Sequence, residues 1–443
     1  MRVPAKPALL LLLLGSFTFA SSAALQQKTP QQPAAKRPAR AGVEDPQQAL
    51  LAQAEEAIEK KDFQRAVDAL QKYLVEKPDD AYARFQIGFA YDRMAKYDEA
   101  EAEYRRAIAL DPKLAAAYQN LGAILVKMKP EEARRLLATA AQLQPENAEV
   151  TFLQGIAEEG LDRPEQAIEF YRRAARARPD NFHFRLGYAR KLLERGRPGD
   201  AEPEFRAAIA MNQDSPDAQR GLADCLLAQQ KPAEALLPLR KYLTLEPSDG
   251  ASRVQFAWLL FDGEKFEEAE AELNRAQAQG VASPAAMKLR ASLLIHQHRY
   301  DDAIAAAAKI VEAAPADVEW HARLGRLYLE KRDFPAAERE LLEALRLDAK
   351  LTEAVRDLAA VYYLAERYEA ALQVIELLTK RETLSGRSWF IRAICYDKLG
   401  RKPEALAAYK EFMAGEHPRT EREEFQARGR IKALTRALEQ KKR

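Results

Sequence analysis

The chain has 443 residues, with 69 basic against 67 acidic side chains and a net charge of +2, a balance that excludes the electrostatic footprint of a nucleic-acid binder. Ala, Leu, Glu, Lys and Arg dominate and β-branched residues are sparse, which favours helices over sheets.

The N-terminus reads as a targeting segment. Arg2 and Lys6 precede an apolar run from Ala8 to Leu14, and small residues follow at Ala20, Ser21, Ser22, Ala23 and Ala24. This is the pattern of a cleaved secretory signal peptide over 1–24, and it implies a periplasmic or secreted protein. An uncleaved signal anchor is the alternative, and the apolar stretch is marginal in length for a membrane span. Residues 25–46 form a Pro/Gln-rich linker with too few apolar groups to offset ordering entropy, a plausible tether.

From here the chain keeps time. Ala66, Ala100, Ala133, Ala167, Ala201, Ala235, Ala269, Ala303, Ala337, Ala371 and Ala405 are spaced by 34 residues, except for one gap of 33 between Ala100 and Ala133. Such a period is the mark of a solenoid. In the unit 81–114, two amphipathic stripes run through Ile87, Gly88 and Tyr91, then through Ala100, Tyr104 and Ala107. They predict two helices joined by a short turn, the second stopped by Asp111-Pro112. Three residues before nearly every periodic alanine stands a proline or an aromatic, from Phe63 and Tyr97 to Tyr368, suited to open a second helix. Lys402 breaks that rule. Cys225 and Cys395 lie five periods apart, too far for a disulfide, and should be free buried thiols.

Gly88, Tyr91, Ala100, Tyr104, Ala107 and Pro112 carry a resemblance to the tetratricopeptide repeat. Leu121-Gly122, Leu324-Gly325 with Tyr328, and Ala167, Tyr171, Ala174 and Pro179 repeat parts of the same pattern. The resemblance implies an all-α, right-handed superhelical solenoid. Its register gives eleven units over 47–419, with the single deletion near Lys129-Pro130 in the third. Residues 420–443 follow as a capping helix with a dry stripe of Phe425, Ile431, Leu434 and Leu438. The eight basic residues of this segment read as its solvated face, ahead of a tail for nucleic acid or anionic lipid.

In that family the first helices line a concave groove, and the second, fifth and ninth residues of each unit stand one helical step beyond the packed stripe. The candidate partner-binding residues are therefore Tyr82, Phe85 and Phe89 in the second unit, Phe152 and Ile156 in the fourth, and Trp258 in the seventh. Val254, Phe390 and Ile394 occupy equivalent places. Packing between neighbouring first helices is the competing reading for all of them. Groove cations at Arg190, Arg220, Lys288, Arg326 and Arg356 are balanced by Asp217, Asp224, Glu319 and Glu353. The carboxylate clamp of the family is not matched, because only Asn120 is correctly placed.

No catalytic, nucleotide-binding or zinc motif is present, and His296 and His298 read as exposed turn residues rather than metal ligands. The expectation is a non-enzymatic scaffold of the bacterial cell envelope, without cofactor or metal, that binds a protein or peptide and not nucleic acid. Contact with a membrane follows only if the signal is uncleaved. An accessory role in envelope polysaccharide or secretion machinery, touching glycan or export complex, is the alternative function.

Overall fold

The computed structural model describes residues 45–379, 386–415 and 420–440. The segment read above as a signal peptide and the linker up to residue 44 lie outside them. Asp45 and Pro46, at the linker's end, open the first helix: the Asp45 carboxylate accepts from the Gln47 N–H, and Pro46 sits in the first turn.

Among the described residues there are 23 helices and no strand. The chain divides into two compact units, one ending at Pro112 and one beginning at Lys113. The first holds α1 (Pro46–Glu59), α2 (Phe63–Glu76), α3 (Ala81–Arg93) and α4 (Tyr97–Leu110). The second holds α5 (Ala115–Leu125), α6 (Pro130–Leu143), α7 (Ala148–Gly160), α8 (Pro164–Ala177), α9 (Phe182–Glu194), α10 (Pro198–Met211), α11 (Pro216–Ala228) and α12 (Pro232–Leu245). It continues with α13 (Gly250–Asp262), α14 (Phe266–Ala278), α15 (Pro284–His296), α16 (Tyr300–Ala313), α17 (Val318–Glu330), α18 (Phe334–Leu347), α19 (Thr352–Leu364), α20 (Tyr368–Thr379), α21 (Gly386–Lys398), α22 (Lys402–Ala414) and α23 (Glu421–Gln440).

The first 22 helices form eleven pairs, each an A helix followed by a B helix. Within each compact unit every helix packs on the next, and in the second unit successive A helices also touch, as α9 does α11 and α17 does α19. This is the solenoid principle: each pair buries its apolar stripe against its neighbours.

The two helix types start differently. Most A helices are opened by a side-chain cap: Asp80, Asn147, Asn181, Ser215, Asp249, Ser283 and Asp317 accept first-turn N–H groups. The B helices begin on the proline or aromatic that precedes the periodic alanine by three, α22 at Lys402 in the same place, and only α2 and α18 among the described ones add a side-chain cap, from Asp62 and Asp333. All eleven periodic alanines are fully buried. They lie one turn into each B helix, where the paired axes approach closely enough to admit a methyl group and nothing longer.

Gly88 shows how close that approach is. A β-carbon there would stand 2.8 Å from the ring of the fully buried Tyr104. Beyond α22, the cap docks through Ala427 and Leu434, both buried, with Ile431 beside them. Phe425, expected in this stripe, is instead 82% exposed. It stands about 180° around the helix from the docked face, at 100° per residue.

Candidate peptide-binding surface

The A-helix face of α3 carries the aromatic patch expected there, but its members are not equivalent. Tyr82 is 57% exposed and its ring stacks on Phe85 with centroids 5.9 Å apart. Phe85 is half-buried and rests in turn on Tyr104, at 5.8 Å. Phe89 is also half-buried, edge-on to Phe63 at 6.4 Å. Tyr82 is thus a solvent-facing ring held on a packed aromatic column.

In the second compact unit the candidate positions are largely occupied by neighbours. Phe152 lies between Tyr171, at 5.0 Å, and Phe184 of the next A helix, at 4.8 Å. Trp258 donates its indole N–H to the Ala285 carbonyl at 3.1 Å and meets Phe261 edge-on. Val254, Phe390 and Ile394 are buried, and Ile156 is half-buried. Tyr82 is the exposed one among the six candidates.

Three of the groove cations, Arg220, Lys288 and Arg326, are pinned across the seams between pairs. Arg220 on α11 donates to Asp224, at 3.0 Å, and to the Ser252 hydroxyl on α13. Lys288 on α15 reaches Asp317 before α17, and Arg326 on α17 donates to Asp357 on α19 at 2.8 Å. Burial lifts the Asp224 and Asp357 carboxyls above their ordinary range, and the facing Arg220 and Arg326 only partly offset it. These cations hold neighbouring A helices together more than they offer charge to a ligand.

A second recurring device emerges only in three dimensions. Arg84 donates to the Pro78 carbonyl at 3.0 Å and to Glu103 on its own B helix at 3.3 Å. Arg253 repeats this with Pro247, at 2.8 Å, and Glu272, at 2.7 Å, and Arg185 with Pro179 and Glu204. His321 takes the same place, its ring nitrogens 3.1 Å from the Pro315 oxygen and 2.8 Å from Glu340. In each case a basic side chain on the A helix bridges the preceding loop and the following helix. The signal was in the sequence: a basic residue six after a proline and nineteen before a glutamate.

Reactive groups do not converge. Cys225 and Cys395 are free and buried, and burial pushes both thiols up to about 12. His296 stacks on Phe266, and His298 contacts the Tyr300 hydroxyl at 2.9 Å. In a cleft of about 480 Å³ beside Phe334 and Leu364, the one carboxylate shared with a cation is Glu338, bound by Tyr362 and Arg367. Among the described residues no group of three or more His, Cys, Asp or Glu is arranged to hold a metal ion. No described helix is long and apolar enough to cross a membrane.

Family profiles described as tetratricopeptide repeat match residues 128–182, 186–250, 254–318 and 294–350, and one described as TPR repeat matches 96–129, together more than half of the chain. The chain belongs to the tetratricopeptide repeat family. Tetratricopeptide repeats are protein–protein interaction scaffolds, generally without catalytic chemistry, and they typically bind proteins or peptides.

Among curated proteins, the chain is similar to DnaJ homolog subfamily C member 3 of Homo sapiens, 28% identical over 208 residues, or 44% of this chain and 41% of that protein. It is also similar to protein O-mannosyl-transferase TMTC3 of Homo sapiens, 26% identical over 262 residues, 57% of this chain and 28% of that protein. The tetratricopeptide chain therefore spans about two fifths of the first relative and just over a quarter of the second. The transferase activity in the second name is that protein's. Among solved structures it is similar to YrrB, described as a TPR protein with an unusual peptide-binding site. That match is 22% identical with a TM-score of 0.38, over 45% of this chain and 100% of that one.

Proposed function

We propose that this tetratricopeptide protein is an exported, non-enzymatic scaffold of the bacterial cell envelope that captures a peptide segment of a partner on its A-helix face. The observation that carries the reading is Tyr82, exposed and stacked on a column of Phe85 and buried Tyr104. A ring held in one orientation loses little entropy on contact and presents a flat apolar face with a polar tip, the chemistry of an interface anchor. The Arg2–Lys6 and Ala8–Leu14 pattern supports export. The seam-bound cations support a peptide rather than an anionic polymer, because their charge is already compensated.

The test is capture from envelope extract by the full chain, read by mass spectrometry, with Tyr82→Ala beside the wild type. Tyr82→Ala should lose the partner while helical circular dichroism and melting stay near wild type, because the ring is mostly in water. Phe85→Ala should lose the partner and also about 1–3 kcal/mol of stability, since its ring is part of the column. Retention on a glycan resin with no protein partner would overturn the proposal.

A further inference from the structure

The outer face of α23 is polar, as a solenoid cap needs, but carries one exposed aromatic ring that a cap does not need. A terminal helix stays soluble by turning a polar face outward. Here the inward face is made by Ala427, Ile431 and Leu434, and fastened by Arg430, which donates to both oxygens of Asp397 at 2.6 Å. Opposite them stands Phe425, 82% exposed. Arg422, Arg428, Lys432 and Arg436 share its side of the helix with Glu421 and Glu439, by the 100° rule, so four cations face two acids there. Arg422, Lys432 and Arg436 make no ion pair among the described residues, and Arg428 pairs only with Glu424 one turn away on its own helix. Gly429, one turn beyond Phe425, has no atom within 4 Å of where a side chain would begin, so the ground beside the ring is bare.

Charge is concentrated in this segment. Residues 420–443 carry eight basic and four acidic side chains, a net +4 against +2 for the whole chain; three of the eight, Lys441, Lys442 and Arg443, follow the helix, which by itself has five basic and four acidic residues. An aromatic ring amid cations in excess of acids is the composition of an interfacial helix on an anionic membrane. We propose that the outer face of α23 docks on an anionic lipid surface, with Phe425 entering the headgroup boundary and Arg422, Arg428, Lys432 and Arg436 over the phosphates. The ring protrudes, 82% exposed, from a single helix with open space at Gly429 one turn away, so it offers no cleft for a peptide to fill. A deformable lipid interface needs none. This contact is independent of the groove and of whether the signal segment is cleaved.

The experiment uses the full chain carrying Gly429→Cys labelled with an environment-sensitive dye. Both native thiols are buried, and the dye reports this face whatever the N-terminus does. Titration with phosphatidylcholine vesicles containing phosphatidylglycerol should shift the emission to the blue, vesicles without it should not, and added salt should reverse the shift. Phe425→Ala should weaken the response about tenfold with unchanged circular dichroism. Lys432→Glu with Arg436→Glu should weaken it by at least about tenfold. No shift, an equal shift on neutral vesicles, or a shift indifferent to Phe425 would overturn the proposal. So would saturation by polyglutamate without any response to vesicles, which would assign the face to an acidic protein.

Discussion

Single residues divide into those the period repeats and those it does not. The periodic alanines are all fully buried, and Gly88 faces Tyr104 at a distance no side chain could occupy, so regularity marks the scaffold. Cys225 and Cys395, at the same repeat position five periods apart, behave as scaffold too. Burial raises both thiols from 9.0 to about 12, which favours the neutral form in the fold. The stability they contribute is fully present below about pH 9 and is lost as the pH rises toward about 12. A chromogenic disulfide reagent at neutral pH should therefore find no reactive thiol in the native chain and two after unfolding in urea. Fast reaction of either in the native state would contradict their burial. Irregular residues are harder to read. The spacing marked Tyr82, Phe85 and Phe89 as one aromatic face, yet it could not show that Tyr82 alone of the three is exposed, because exposure depends on Phe63 and Tyr104 from other helices. Phe425 was misplaced for a related reason. A sparse apolar pattern over one helix allows two faces, and Ala427, which decides the docked one, looks neutral in sequence.

At the scale of elements, the turn within each pair is the most regular feature and the least visible one. Lys61, Ala95, Asp162, Gly196, Gln230, Glu264, His298, Arg332, Glu366 and Gly400 all have φ between 55° and 71°, two residues before a B helix begins. In each, the next residue's N–H reaches back five positions, as from Lys96 to the Tyr91 carbonyl at 2.9 Å, which is a Schellman closure. The third pair lacks such a residue: its turn closes from Lys129 to Leu125 at 2.7 Å, and the single 33-residue gap is the loss of that left-handed position. Most of these residues are not glycine, so the turn geometry is imposed by packing rather than by local preference. Ala95→Gly should accordingly raise stability by about 0.5–1 kcal/mol, seen as a higher urea midpoint with unchanged slope. A lower midpoint would show that the unfolded-state entropy of glycine outweighs the relieved strain. The loop-to-helix bridges of Arg84, Arg185, Arg253 and His321 belong to this scale as well. Their spacing is regular enough to be found in sequence once the fold shows which loop carbonyl and which glutamate they join.

For the molecule as a whole, the two compact units share one building rule, and the second ends in a cap docked through Ala427, Ile431 and Leu434 and fastened by one bidentate contact. Arg430→Ala should cost about 1 kcal/mol and loosen α23, since both partners lie partly in solvent. Limited proteolysis should then cut within 420–440 sooner than in the wild type, and an unchanged cleavage rate would show that Ala427, Ile431 and Leu434 suffice to dock the helix. The sequence by itself determined the helix-pair fold, the register, the starts of the B helices and the burial of alanines and thiols. Each of these follows from local periodicity, in which a residue's environment repeats every 34 positions. The tertiary structure alone decided which groove aromatics remain in water, that Arg220, Lys288 and Arg326 are bound across seams, and that Phe425 faces outward. Those outcomes depend on side chains from neighbouring helices, and a one-dimensional period carries no record of what stands across the seam.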